Sequence, residues 1–271
     1  MNPRAIAVVA MTIAYLSLGS GANPNQAEDI VRRSVANTSA DWAAAPQYEF
    51  TERDTITRNG ERTTKTYRVI MIEGSTYNNL IDVNGRPLTA AQAQGEDQKL
   101  EQEIKLRRSE SPSARQKRVA EYQKERRQDH ALMSEMVKAF DYTLIGEESV
   151  NGRRCFVLQA NPKPGYNPPN RDTQVLKGMR GQMWVDAEQY QWARVHAEVF
   201  RPVSFGLFFA QVKPGTEFTF EQKPVDGKLW LPSHFAMKLR ARVFLSSRTS
   251  ADDEVYSDYR HATARAVSAS R

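Results

Sequence analysis

Ala193-Arg194-Val195-His196-Ala197-Glu198-Val199, answered further on by Phe235-Ala236-Met237-Lys238-Leu239-Arg240-Ala241-Arg242-Val243, decides the fold. Ala193, Val195, Ala197 and Val199 share one face of an extended chain, and Arg194, His196 and Glu198 share the other, which is the period of a half-buried strand. The second run repeats the pattern with Phe235, Met237, Leu239, Ala241, Val243 and Leu245 against Lys238, Arg240 and Arg242: one face greasy, one basic. Between the runs lie turn signals, Lys213-Pro214-Gly215 and Val225-Asp226-Gly227-Lys228, flanking Thr216-Glu217-Phe218-Thr219-Phe220. Residues 181–259 therefore read as a continuous antiparallel meander.

The remaining chain extends the sheet and adds helices. Ile30, Val31, Val35 and Trp42 fall at near-helical spacing, so 26–44 is expected to be an amphipathic helix. Strands at 47–58 and 61–73 meet at Asn59-Gly60, and a third at 75–83 stops at Asn84-Gly85-Arg86-Pro87. Another hairpin, 142–150 with 153–161, turns at Asn151-Gly152. The segment 89–140 differs: residues 96–135 carry 10 basic and 9 acidic side chains, a helical composition broken where Pro112 removes a backbone donor. Two readings of these helices stay open, a solvated hairpin covering the sheet and a surface for a partner or anionic lipid. Pro112 and its flanking serines also suggest a hinge for a moving lid. The proline-rich stretch 162–170 reads as a loop rimming an opening, and 172–180 as a short loop or helical turn.

Composition bounds the class. The chain has 271 residues, 40% hydrophobic and 26% charged, with a net charge of +6 that is spread along it and forms no nucleic-acid footprint. Arg4, the apolar run 5–18 and the small residues Ser20-Gly21-Ala22 read as a signal peptide over 1–22. The apolar run is about 14 residues, short of the roughly 20 that span a bilayer. The mature protein is thus expected to be periplasmic or secreted. The single cysteine, Cys155, has no internal partner and reads as a small buried hydrophobe.

No metal-ligand spacing links His130, His196, His234 and His261, and neither a nucleophile elbow nor a glycine-rich phosphate loop is present. The reading is of a protein that is not an enzyme and needs no cofactor. Asp252-Asp253-Glu254 reads as a hairpin turn, since adjacent acids on a strand do not point one way.

Gly181-Gln182-Met183-Trp184-Val185-Asp186 and Gly227-Lys228-Leu229-Trp230-Leu231-Pro232, in an exported chain of helix, hairpins and helical interruption, resemble the LolA-like lipoprotein-carrier superfamily over about residues 26–259. The resemblance implies an α+β fold: an unclosed, strongly curved antiparallel β-barrel, with the N-terminal helix and the charged insertion covering its concave face. It implies one such domain over 23–261, interrupted by the insertion 89–140, and a frayed tail at 262–271. It also implies an apolar cavity that holds a lipid or a lipoprotein acyl chain. The cavity wall is expected from Met183, Val185, Val195, Val199, Phe218, Phe220, Phe235, Met237, Leu239 and Val243, faced by Leu132, Met133 and Met136 from the covering helix, with closed core as the alternative reading of each. No cargo-contacting residue of the family maps onto this sequence, and 89–127 is a long insertion relative to a compact carrier. Expected partners are a lipid or acylated lipoprotein, with an envelope protein as the alternative in a stress-regulating role. Residues 205–209 read either as a sheet-core strand or as an exposed entrance in transient contact with a membrane or a lipidated partner, and a monomeric state and no nucleic acid complete the expectation.

Overall fold

The computed structural model describes residues 24–205, 210–227, 229–243 and 246–262. The signal-peptide reading of 1–22, most of the aromatic stretch 205–209 and the tail from 263 onward lie outside the described residues.

Helix α1 (Pro24–Ala44) is followed by β1 (Tyr48–Arg58), β2 (Glu61–Ile72), β3 (Ser75–Val83) and the short β4 (Arg86–Pro87). Helices α2 (Ala90–Ser109) and α3 (Pro112–Ala139) precede β5 (Phe140–Val150) and β6 (Arg153–Pro162). A 3₁₀ segment, Asp172–Gly178, leads into β7 (Met179–Asp186), β8 (Trp192–Val199), β9 (Val203–Phe205) and β10 (Ala210–Val212). The chain ends with β11 (Glu217–Val225), β12 (Leu229–Val243) and β13 (Ser246–His261).

Local chemistry explains the boundaries. Asn59-Gly60 and Asn151-Gly152 both have positive φ at each residue, the paired left-handed geometry whose twist suits a two-residue hairpin. Thr89 and Gln92 form a reciprocal cap: the Gln92 amide N–H donates to the Thr89 hydroxyl, and the Thr89 amide N–H to the Gln92 side chain. Ser111 accepts from the Ala114 N–H, and Pro112 occupies the first turn of α3, where its missing donor costs nothing.

The strands form one antiparallel sheet in the order β4-β3-β2-β1-β13-β12-β11-β8-β7-β6-β5, with β10 added to β12 and β9 to β10. The two ends, β4 and β5, do not pair, so the barrel is unclosed, and the α2–α3 insertion carries the chain from one end to the other. Register shifts interrupt five strand pairs, each a bulge that bends and twists the sheet. The curved sheet with helices on its concave side is the α+β architecture expected from the sequence.

Two details correct the sequence reading. The meander is not continuous, because β9 and β10 leave it as a side hairpin: β12 is long enough to pair with β11 along its first part and with β10 at Ala241–Val243. Asp252-Asp253-Glu254 is no turn but the middle of β13, where the alternation of the strand sends Asp252 and Glu254 to one face and Asp253 to the other.

Candidate functional site

Cross-strand register lays out the concave face in rows. One runs Leu144, Leu158, Met183, Val195, Phe220, Phe235, then Glu254, Asp54 and Lys65. Its neighbour runs Ala160, Gly181, Ala197, Phe218, Met237, then Asp252 and Ile56. The first row is apolar from β5 and the second from β6, both as far as β12, and each turns acidic at β13. The rows therefore hold three zones: a helix-covered apolar zone, an apolar strip and a group of carboxylates.

In the covered zone Met183, Val185, Val195 and Val199 are all at most 3% exposed. They pack with Ala27, Ile30 and Val31 of α1 and with Met136 of α3, while Met133 and Phe218 lie partly buried against the same cluster. This zone is closed core. Polar pins complete it: the Trp192 indole N–H donates to the Ser34 hydroxyl at 2.9 Å, and Asp41 accepts from the Gln191 amide at 2.7 Å and the Trp230 backbone N–H at 2.9 Å. Burial raises the Asp41 pKa, and those two hydrogen bonds oppose the rise. The sequence reading missed this seam, although Ser34, Thr38 and Asp41 recur at the spacing of one helix face and all three are buried.

Beyond it, Phe220, Phe235, Met237 and Leu239 are neither buried nor part of that core cluster. They form the apolar strip. The structure thus divides the expected cavity wall in two. The side chains of Leu132 and Val243 lie outside what is described.

Glu52, Asp54, Asp252 and Glu254 border the strip on β1 and β13. Burial pushes the Glu52 carboxyl up to about 7, reinforced by the negative charges of Glu254 and Asp54. Burial likewise raises Glu254 and Asp54, with Lys65 and Arg58 partly offsetting Asp54. The Tyr256 hydroxyl donates to Glu254, and burial together with that contact holds its proton on. A carboxyl titrating near neutrality is able to act as an acid or base, provided a reacting group lies within hydrogen-bond reach. Its partners across the strands are Tyr67 and Tyr256.

The tryptophan motifs are structural. Asp186, 1% exposed, pairs with Arg153 at 2.7 Å and accepts from the Gln189 N–H at 2.7 Å, fixing the β7–β8 turn. Trp184 and Trp230 meet Cys155 in a second buried cluster, where burial pushes the thiol up to about 11. The histidines sit in four separate places: His130 stacks on Trp42, His196 meets Thr219, His234 meets Asp253 and His261 meets Tyr48. Among the described residues no group of three or more His, Cys, Asp or Glu side chains is arranged to hold a metal ion, and no helix is long and apolar enough to cross a membrane.

The insertion is fastened at its corner. Arg107, 6% exposed, donates to the carbonyls of Ile72, Ser75 and Thr76, and Arg118 donates to the Glu73 carbonyl and to both carboxylate oxygens of Glu110. Arg115 pairs with Glu73 at 2.9 Å. The residues around Pro112 are thereby tied to the β2–β3 turn.

No protein-family model and no curated protein matches the chain. Among solved structures, it is similar to a putative outer membrane lipoprotein-sorting protein domain from Vibrio parahaemolyticus (12% identity, 89% of this chain and 94% of that one, TM-score 0.38). It is also similar to a DUF1329 family protein from Desulfovibrio piger (14% identity, 87% and 92%, TM-score 0.36). A third is a LolA superfamily protein from Nitrosomonas europaea (11% identity, 87% and 93%, TM-score 0.31).

Proposed function

We propose that the mature chain is an exported, periplasmic binding protein that holds a lipid or lipoprotein acyl chain, as carrier or sensor, against the uncovered strip of the concave face. The observation that supports this reading is the partly exposed run Phe220, Phe235, Met237 and Leu239, continuous with the part of the face that is packed under helices. Each methylene removed from water there contributes about 0.8 kcal/mol, so a partly enclosed acyl chain suffices for useful affinity. Phe218 spans the two zones and sets where the chain stops.

Native mass spectrometry of the protein purified from a Gram-negative periplasm, with organic extraction and lipid identification, tests it. The expected result is a co-purifying lipid or acylated peptide. A protein that is empty and also takes up no fluorescent fatty acid overturns the reading.

A second reading, a protein partner bound through the helical insertion, rests on the exposed, mixed-charge surface of α2 and α3, where Leu106 stands 60% exposed. It requires that removing the Leu106 side chain weaken a protein complex while leaving fatty-acid uptake intact.

A further inference from the structure

At the end of the sheet where β6 stops, β7 begins and β8 finishes, two adjoining hollows of about 520 and 640 Å³ share Asn167, Lys177 and Arg201. Lys163 lines the second. Among the described residues, no carboxylate lines either hollow. The cavity beside α2 is different, since there Arg68 and Arg260 stand against Glu96, Asp97 and Asp258.

Backbone chemistry fixes the segments that carry these cations. Arg201 donates from Nε to the Lys177 carbonyl at 2.9 Å and from Nη2 to the same oxygen, which fixes the guanidinium plane over the segment that bears Lys177. The Phe200 N–H donates to the Gly178 carbonyl at 2.9 Å, welding the end of β8 to the end of the 3₁₀ segment. Only glycine permits that approach: a Cβ on Gly178 would lie 2.3 Å from Val203 Cγ2 and 2.8 Å from the Arg201 carbonyl oxygen. The Lys163 N–H donates to the Ala139 carbonyl at 2.8 Å, anchoring the proline-rich loop on the end of α3. Lys163 keeps a loose pair with Asp141 at 3.8 Å, and Lys177 makes no ion pair among the described residues. Like charges lining one pair of hollows repel one another, and an anion placed among them offsets that repulsion. A planar guanidinium and two ammonium groups, with Asn167 and Gln174 lining the same hollow, are a donor set suited to phosphate oxygens.

We propose that the hollows at Lys163, Lys177 and Arg201 form a binding site for a phosphate ester. The proposal stands independently of acyl binding on the concave face. The phosphate belongs either to a soluble ester or to a lipid headgroup, and two probes separate these sources: glycerol 3-phosphate, followed by calorimetry, and flotation with vesicles of phosphatidylglycerol against phosphatidylcholine. The mature protein is compared with Lys177→Gln/Arg201→Gln and with Arg240→Gln/Arg242→Gln, which removes the same charge from β12. Binding of either probe that falls at least tenfold in the first pair and less than twofold in the second supports the site, and which probe binds names the source. If Lys177→Gln/Arg201→Gln fails to fold, Lys177→Gln alone keeps every backbone contact, and its expected loss is three- to fivefold. No binding of either probe, or equal losses in the two double variants, overturns the proposal.

Discussion

The part of the concave face under α1 and α3 and the part beyond Phe220 carry the same alternating pattern, yet they end up in different environments. Leu158 is wholly buried between strands and helices; Leu239, on the same face four strands away, is partly exposed. Strand pattern settles which side of the sheet a residue faces. Whether that side is dry depends on where the helices come to rest, and α1 spans β5, β7 and β12 without reaching β13 in force.

The sharpest way to break this comparison is to make one truncation in both places. Leu158→Ala leaves a cavity in a packed core and is expected to cost about 2–5 kcal/mol in denaturant unfolding. Leu239→Ala, with solvent already beside it, is expected to cost under about 1 kcal/mol. Equal costs would mean that the second zone is core too, and the acyl-binding reading would lose its surface.

Next in size is the corner that fixes the insertion. Arg107→Met keeps much of the side-chain volume but strands the carbonyls of Ile72, Ser75 and Thr76, and leaves Glu103 without its partner at 2.5 Å. An expected loss of about 2–3 kcal/mol follows from buried acceptors left unmade. A smaller loss, with faster proteolysis confined to 89–139, would show a corner that opens locally.

Much of this was legible in the sequence. Asn-Gly turns located the hairpins, and Pro112 divided the helices, because each is a local backbone constraint. Asp252 and Glu254 were misread because charge inside a strand argues for a turn unless the partner strand is known; that partner is β1, some 200 residues earlier. The side hairpin β9–β10 was hidden for a similar reason, since its pairing to Ala241–Val243 is decided by the length of β12 and by no feature of its own. For the candidate site, the wall residues were found by alternation, but their division into closed and open zones belongs to tertiary packing alone.

The carboxylates bordering the strip provide the third test. Glu52 has a folded pKa of about 7, against an ordinary value of 4.5. The folded state therefore holds this proton more tightly than the unfolded chain does. The stabilisation is fully present below about pH 4.5 and is lost as the pH rises through about 7. Allowing for solvent screening at a partly exposed group, the loss is roughly 1–2 kcal/mol. Glu254 and Asp54, also raised, act in the same direction. Glu52→Gln should raise stability at pH 8 by about that amount and flatten the profile between pH 5 and 8 in thermal unfolding. An unchanged profile would place Glu52 in water and move the boundary of the buried face away from β1.

The smallest effect on stability is also the most direct probe of function. Met237 lies between Phe218 on β11 and Asp252 on β13, where the apolar rows become acidic. Its thioether is only partly buried, so Met237→Ser should leave unfolding within about 0.5 kcal/mol of the parent. An acyl chain lying on the strip would lose the contact of about one or two methylene equivalents, which corresponds to about a four- to fifteenfold rise in the dissociation constant of a fluorescent fatty acid. Met183, one zone away and 1% exposed, cannot serve the same purpose, because serine there would bury an unpaired hydroxyl and unfold the core before any ligand was sensed. A residue that changes uptake without changing stability is what separates a binding face from a packing face. If Met237→Ser moves neither quantity, the strip is ordinary surface, and the cationic hollows where β6 stops, β7 begins and β8 finishes become the candidate ligand site.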